Sequence, residues 1–275
     1  MLTHPAFDPV AISLGPLQVH WYGLMYLAGF LFVFYIGKRL ANQNKVPFKA
    51  DEVDDLVFYA ALGVILGGRL GYVFFYDFAQ FLHNPLWLFQ VWKGGMSFHG
   101  GFLGVVVGLA YFAKKNNYPV GAIFDFAALA APIGLGFGRL GNFIGQELWG
   151  RVSDVPWAMV FPADPSGLAR HPSQLYEAVG EGFLLFAIIY WYSSKPRPMW
   201  SAGALFIIGY GTARFMVEFV REPDAHIGFD LFEWMSRGQI LSMPMILVGI
   251  AVMIWSYKLQ KPFAAIQTVN GIQKK

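Results

Sequence analysis

Seven long apolar segments, separated by shorter stretches rich in charged residues, glycine and proline, set the pattern of this chain. They cover residues 19–37, 56–76, 96–113, 122–137, 175–192, 202–219 and 240–257, of which the fourth is the shortest. An α-helix needs about 20 predominantly apolar residues to cross the hydrocarbon of a bilayer. The pattern therefore predicts an all-α polytopic integral membrane protein, with about seven transmembrane helices in a single domain over residues 1–275.

The amino-acid composition also indicates a membrane protein. The chain is 56% hydrophobic and 13% charged, with a mean hydropathy of +0.46. A soluble domain carries roughly 25% charged residues, so a water-soluble globular protein is excluded. The chain has no cysteine, which excludes disulfides, thiolate metal ligands and a cysteine nucleophile. Any thiol that reacts here must belong to a substrate.

Glycines recur every four residues in two of the apolar segments. Small residues at this spacing let membrane helices approach each other closely, and we interpret both ladders as packing surfaces. The ladders are Gly63, Gly67 and Gly71 in the second segment and Gly100, Gly104 and Gly108 in the third.

Basic residues between the segments indicate the orientation. Twelve Lys and Arg residues fall in the C-terminal tail and in the loops after the first, third and fifth segments, and six fall on the opposite side. Cytoplasmic loops carry the excess of Lys and Arg. We therefore expect the N-terminus in the periplasm and the C-terminus in the cytoplasm. On the periplasmic side, residues 145–170 are predicted to form an arm, with short strands near 157–161, and residues 221–238 a small cap.

Polar clusters lie at the outer ends of four segments. They are His99-Gly100-Gly101, Gly138-Arg139-Leu140-Gly141-Asn142, His171 to Glu177, and Tyr210 with Arg214 and Glu218. Ionisable groups at membrane depth are costly and usually mark a site. Because the topology brings all four to one face, together with Tyr22 and Arg69, we predict one active site that faces the periplasm.

Two arginines of these clusters suit an anionic group. Arg214 and Glu218 share one helix face, with Tyr210 one turn earlier; a structural ion pair and a carboxylate that aims Arg214 at an anion both fit this spacing. Arg139 follows the alternating glycines of residues 134–138, and its planar fork matches phosphate. The alternative for Arg139 is an arginine that snorkels to lipid head groups.

His99 lies at the outer start of the third segment, directly before Gly100 and Gly101. A helix N-terminus disfavours a protonated imidazole, so a neutral His99 can accept a proton. A structural role is the alternative reading.

Arg69 lies among glycines in the second segment and needs a partner, for which Asp125 and Glu147 are the nearest candidates by topology. No spacing of His, Asp and Glu is typical of a metal site, and no serine nucleophile motif is present. We expect no metal, no cofactor and no nucleic-acid partner.

Arginines and a base at the outer leaflet predict chemistry on a phosphate-bearing lipid, but they do not fix the nucleophile. A lipid-dependent transferase, a phospholipid hydrolase and a lipid-linked sugar enzyme all fit. A phospholipid transporter or scramblase would also place polar groups in the inner halves of the spans, which are almost purely apolar. A structural scaffold would not need four polar clusters on one face.

Longer residue strings narrow these alternatives. They are 20–26 (HWYGLMY), 94–101 (GGMSFHGG), 138–144 (GRLGNFI), 147–151 (ELWGR), 170–177 (RHPSQLYE) and 221–224 (REPD). From about residue 8 to residue 258 the chain resembles the bacterial prolipoprotein diacylglyceryl transferase family. It departs from that family at Gly145 and Gln146, where Asn typically follows Asn-Phe-Ile, and in a shorter stretch between Trp157 and Arg170.

The resemblance implies a reaction at the outer leaflet of the bacterial inner membrane. The diacylglyceryl group of phosphatidylglycerol moves to the thiol of the lipobox cysteine in a prolipoprotein signal peptide. A thioether forms and glycerol phosphate leaves, as the first step of lipoprotein maturation. Another phospholipid-using transferase or hydrolase of the outer leaflet is the alternative.

The resemblance also implies roles for individual residues. Arg139 and Arg214 are expected to clamp the phosphate and stabilise the leaving group, and His99 to deprotonate or orient the thiol. Residues expected to bind substrate are Tyr22, Asn142, Tyr210, Arg69, Glu147, Gly100 and Gly101. Residues expected to support the arginines are Glu218, Asp125 and Arg221.

Overall fold

The computed structural model describes residues 2–15, 17–222, 229–231 and 235–259. Its helices are α1 (Trp21–Asn42), α2 (Val53–Tyr76), α3 (Phe78–His83), α4 (Phe98–Lys115), α5 (Val120–Ile144), α6 (Ser173–Glu177), α7 (Leu185–Tyr192), α8 (Ser201–Val217) and α9 (Arg237–Leu259). A π-helical segment, Ala178–Leu184, joins α6 to α7. Short 3₁₀ turns cover Ala50–Glu52, Pro85–Phe89 and Val91–Lys93.

Each of the seven predicted apolar segments coincides with a helix or, at residues 173–192, with a continuous helical run. Within the described residues, four helical stretches are long and apolar enough to cross a membrane: Trp21–Asn42, Ala50–Tyr76, Val120–Ile144 and Arg237–Leu259. Ser201–Val217 is a shorter apolar helix. These stretches confirm an α-helical membrane protein.

The fourth segment is longer than its apolar pattern suggests. It was expected to be the shortest, at residues 122–137, but α5 runs over 25 residues from Val120 to Ile144. The helix continues through Arg139 and Asn142 because these polar side chains are paired inside the protein. It also tolerates the internal Pro132.

The described chain divides into two compact units. The first comprises residues 2–33 and 125–259, and the second residues 34–124, with the gaps given above. The second is built on the pair α2 and α4, whose glycine ladders face each other. A Cβ on Gly104 would lie 1.9 Å from the Gly63 carbonyl oxygen, and one on Gly67 would lie 2.3 Å from the Gly100 oxygen. The packing interpretation of both ladders is therefore confirmed.

The predicted periplasmic arm contains two strands, and one of them also pairs with a strand near the N-terminus. Strand β4 (Met159–Val160) pairs antiparallel with β5 (Ala169–Arg170), close to the predicted position. On its other side, β4 pairs in parallel with β1 (Leu2–Thr3). A second hairpin joins β2 (Val10–Leu14) to β3 (Leu17–His20). Of the predicted cap, β6 (Phe229–Leu231) pairs with β7 (Met235–Ser236), and residues 223–228 and 232–234 lie outside the described residues.

Candidate active site

The centre of the first unit is a network of three arginines and three glutamates inside the helical bundle. Its members are Arg139 on α5, Glu177 and Glu181 on the fifth segment, and Arg214, Glu218 and Arg221 at the end of α8 and just beyond it. Close helix packing makes the network possible: a Cβ on Gly182 would lie 2.5 Å from the Gly136 Cα. This contact brings α5 against the π-helical segment one turn from Arg139.

Glu177 connects the arginines. Its Oε2 lies 3.1 Å from Arg139 Nε, and its Oε1 accepts a hydrogen bond of 2.6 Å from Arg214 Nη1 and lies 3.8 Å from Arg221 Nε. The side chain is fully buried. Buried charges are stable only when they are paired, and here one carboxylate serves three guanidinium groups.

Glu181 reaches two of the same arginines over longer distances, 3.5 Å to Arg139 Nη2 and 3.8 Å to Arg214 Nη1. Glu177 ends α6 and Glu181 lies inside the π-helical segment. Wide π-turns are rare and occur frequently at functional sites. The sequence analysis placed Glu177 in one of the four polar clusters of the predicted site without a specific role, and it did not assign Glu181. Two carboxylates four residues apart in an apolar span were the signal that could have revealed their role.

The ion pair expected between Arg214 and Glu218 is present, with close contact between Arg214 Nη2 and Glu218 Oε1. The other carboxylate oxygen of Glu218 accepts a hydrogen bond of 2.5 Å from Ser236 Oγ, next to α9. Arg221 adds a contact of 3.4 Å to Glu218 Oε1. Glu218 and Arg221 therefore lie beside Arg214, where the sequence analysis expected supporting residues.

The remaining predicted residues of the first unit surround Arg139. Asn142 Nδ2 donates to Glu147 Oε2 at 3.4 Å. The half-exposed Tyr22 is within electrostatic range of Glu147 and Arg139, and its ring packs on Gly141. Tyr210 is within electrostatic range of Glu181, Arg214 and Arg139. The structure thus brings together Tyr22, Arg139, Asn142, Glu147, Tyr210, Arg214, Glu218 and Arg221.

Asp125 does not support Arg139, contrary to expectation. Its carboxylate accepts hydrogen bonds from the backbone N–H groups of Trp200 (2.6 Å) and Gly203 (2.7 Å), at the start of α8. Arg139 lies fourteen positions further along the same helix, roughly 21 Å away at 1.5 Å per residue. The acidic side chain fixes a helix N-terminus, where Trp200 adopts a positive φ of 75°.

In the second unit, Arg69 has backbone partners and not the carboxylates considered in the sequence analysis. The buried guanidinium donates to the carbonyl oxygens of Trp87, Leu88, Gly94 and Gly95 at 2.5–3.1 Å. It also stacks on the Trp87 ring, 4.4 Å from the centroid.

His99 is the second residue of α4 and is exposed. Gly100 lies against Gly67 and Gly71 of α2, and Gly101 lies near Val64. Both glycines therefore serve helix packing, and a role for them in substrate binding stays a prediction.

Arm residues are held by a separate ion pair in the first unit. Burial alone would raise the pKa of Asp164, but hydrogen bonds from Arg170 Nε and from Ser166 outweigh burial and lower that pKa to about 2. Gln146 ties the arm to the end of α5, because its Oε1 accepts from Ala163 N at 2.9 Å. An amide thus follows the position where the related family typically has Asn.

Among the described residues, no group of three or more His, Cys, Asp or Glu side chains could hold a metal ion.

Apolar helices around buried arginine–carboxylate pairs define an integral membrane protein with an internal polar network. The family model of prolipoprotein diacylglyceryl transferase matches residues 9–255. The chain belongs to the prolipoprotein diacylglyceryl transferase family.

Curated relatives agree with this assignment. A protein of Teredinibacter turnerae is 55% identical over 268 residues, covering 94% of this chain and 93% of the relative. One of Acinetobacter baumannii (strain ATCC 17978) is 58% identical over 261 residues, covering 94% and 96%. One of Acinetobacter baylyi is 56% identical over 261 residues, covering 94% and 95%. All three are named phosphatidylglycerol–prolipoprotein diacylglyceryl transferase.

Proposed function

We propose that this protein transfers the diacylglyceryl group of phosphatidylglycerol to the thiol of the lipobox cysteine of prolipoproteins. The sulfur forms a thioether with the glyceryl carbon, the carbon–oxygen bond to phosphate breaks, and glycerol phosphate leaves. The names of relatives at 55–58% identity support this reaction. The cysteine-free chain fits a nucleophile that belongs to the substrate.

One observation about the network carries the proposal. The side chains of Glu177 and Glu181 are 0% exposed, whereas those of Arg139 and Arg214 keep 19% and 14% exposure. The carboxylates therefore contact the arginines on the buried side of the cluster. The cluster is formally neutral, but its accessible side consists of guanidinium groups and is cationic. Such an edge suits a lipid phosphate, and planar guanidinium groups match its oxygens in a bidentate manner.

In this mechanism Arg139 and Arg214 bind the phosphate and stabilise the negative charge that grows on the departing phosphate ester. Tyr22, Asn142 and Tyr210 hydrogen-bond the glycerol or phosphate oxygens, Glu147 orients Asn142, and Glu218 and Arg221 hold Arg214. His99 accepts the proton of the thiol, or orients the thiol for ionisation. The role of His99 is carried over from the family resemblance.

The proposed setting is the inner membrane of a bacterium. Seven helices cross it, with the N-terminus in the periplasm, the C-terminus in the cytoplasm and the site open to the periplasmic leaflet. The excess of Lys and Arg in the loops after the first, third and fifth segments supports this orientation. Single cysteines introduced into the cysteine-free chain and labelled with a membrane-impermeant thiol reagent test it, because periplasmic positions should react in intact spheroplasts and cytoplasmic ones should not.

The decisive assay combines purified protein in detergent, phosphatidylglycerol and a peptide with a lipobox cysteine, followed by mass spectrometry. We expect the peptide to gain one diacylglyceryl group. Arg139→Lys should lower the rate about 10²–10³-fold, the usual cost of losing a charge-stabilising donor, and His99→Ala should also be severe. Arg39→Lys, at an exposed arginine that contacts Tyr35, is the matched control and should retain activity.

Two results would contradict different parts of the proposal. Near-normal transfer by Arg139→Lys would exclude the bidentate clamp and leave the reaction in place. Hydrolysis of phospholipid without modification of the peptide would favour the alternative, another phospholipid-using enzyme of the outer leaflet.

A further inference from the structure

Arg69 is a buried arginine that donates to backbone carbonyls on the segment before α4. Nε donates to Leu88 O at 2.9 Å, Nη2 to Trp87 O at 2.5 Å, and Nη1 to Gly94 O and Gly95 O at 2.5 and 3.1 Å. Four of the five N–H groups of a guanidinium are thereby used. With the side chain buried at 3% exposure, Arg69 could not bind a phosphate without releasing these carbonyls.

The carbonyls belong to a segment whose own backbone hydrogen bonds, such as Trp87 N to Asn84 O and Gln90 N to Trp87 O, are local turns. Residues 85–93 form two short 3₁₀ turns, and such turns have poor hydrogen-bond geometry. Leu86, Phe89 and Trp92 are each at least 67% exposed, whereas the Trp87 ring packs on Arg69 and Tyr72. The Arg69 guanidinium adds four hydrogen bonds that tie this segment and the two glycines after it to α2.

The same segment leads directly into α4. Gly94 and Gly95 adopt φ values of 79° and 80°, a conformation that glycine adopts without steric cost. A Cβ on Gly95 would lie 2.6 Å from the Tyr72 ring and 3.0 Å from Arg69 Nη1. Two residues later, Ser97 N donates to Gly68 O at 2.9 Å. Ser97 Oγ then caps the helix by accepting from Gly100 N at 3.2 Å.

Gly68 and Arg69 of α2 thus hold both ends of the turn at residues 94–97, and His99 follows two residues later. We infer that Arg69 is a positioning residue for His99: by binding these carbonyls it fixes the turn that sets the position and direction of the His99 side chain. This inference rests on the proposed function, in which His99 handles the thiol. It also gives Arg69 a different role from the substrate binding expected from the sequence.

The first test is a double-mutant cycle on the purified full-length protein. Arg69→Lys keeps the positive charge but has one nitrogen, which cannot span carbonyls on both sides. We expect kcat to fall about 10- to 100-fold, since a misplaced reacting group costs rates of this order, while KM for phosphatidylglycerol stays the same. In a His99→Ala background, the same change should lower the residual rate by less than about 2-fold, because residues that act as a unit are not additive.

The matched control is Arg197→Lys. Arg197 also donates to a backbone carbonyl, Tyr192 O at 2.9 Å, and stacks on the Tyr192 ring at 4.3 Å. It should retain wild-type kcat. Gly95→Ala changes the turn itself, because the added Cβ would lie 2.6 Å from the Tyr72 ring. It should lower kcat in the same way, so it carries the test if Arg69→Lys does not fold.

Fully additive effects of Arg69→Lys and His99→Ala would overturn the inference. A raised KM with unchanged kcat would also overturn it and favour substrate binding by Arg69.

Hydrogen exchange separates this inference from the proposed function. In Arg69→Lys, backbone amides of residues 87–101 should exchange faster than in the wild type, while peptides of α9 should be unaffected. Unchanged exchange at 87–101 would overturn the inference. A wild type that transfers no diacylglyceryl group but shows the expected exchange would overturn only the proposed function.

Discussion

Removal of the negative charge from Glu177 is the sharpest test of how the arginine network is built. Glu177→Gln keeps the shape of the side chain, and Glu181→Gln makes the same chemical change four residues away. Both carboxylates are fully buried, so differences in solvation do not separate them. Their contacts distinguish them, because Glu177 faces three guanidinium groups and Glu181 faces two.

The expected ranking follows from the distances. Glu177 lies 2.6, 3.1 and 3.8 Å from its three partners, and Glu181 lies 3.5 and 3.8 Å from its two. Because Coulomb energy varies as the inverse distance, the attraction at Glu177 is about 1.8 times that at Glu181, whatever the local dielectric constant. Loss of one partner of a buried ion pair costs about 3–5 kcal/mol. We place Glu177→Gln near the upper value and Glu181→Gln near the lower.

The assay is unfolding of the purified variants in one detergent, followed by intrinsic tryptophan fluorescence, together with transfer activity. Glu177→Gln should unfold at a clearly lower temperature than Glu181→Gln and should lose more activity, because Glu177 lies closer to Arg139 and Arg214 and also reaches Arg221. Equal destabilisation, or a larger effect at Glu181, would refute the reasoning from contact distances.

Three further predictions concern other parts of the structure. Gly104→Ala should strongly destabilise the α2–α4 pair, because its Cβ would lie 1.9 Å from Gly63 O, whereas Gly23→Ala, with open space at its Cβ, should leave the thermal unfolding temperature nearly unchanged. Gly150→Ala should disrupt the base of the arm and reduce transfer activity, because its Cβ would lie 2.5 Å from Val220 O; limited proteolysis of the arm measures this. For Asp164, the folded-state pKa of about 2 lies below the roughly 3.9 of an unfolded chain. Its stabilisation should therefore be complete above about pH 4 and disappear as the pH falls through 2, and hydrogen exchange of the arm should show this in the wild type but not in Asp164→Asn.

Apolar periodicity predicted the helices well because crossing a bilayer imposes length and composition on each segment. It failed at the end of α5, where Arg139 and Asn142 were interpreted as the end of a span. Polar residues end an apolar segment only if they face lipid, and these two face the interior of their unit. Residue spacing within one helix revealed the pair Arg214 and Glu218, whereas the bond between Arg214 and Glu177 joins residues 37 positions apart and needed the fold.

The backbone partners of Arg69 show a second limit of sequence reasoning. A buried arginine indicates a partner, and acidic side chains are the partners that a sequence makes visible. Carbonyl groups are present at every residue and carry no sequence signal, so only the structure could identify those of Trp87, Leu88, Gly94 and Gly95.

The parallel pairing of β1 with β4 affects the order in which the protein is assembled. Leu2 N donates to Ala158 O, and His4 N donates to Val160 O. About 155 residues separate the two strands, so the first strand is synthesised long before its partner. Contacts between such distant residues close a large loop and form slowly. The arm should therefore be among the last regions to order during biogenesis, after the helices that precede it are in place.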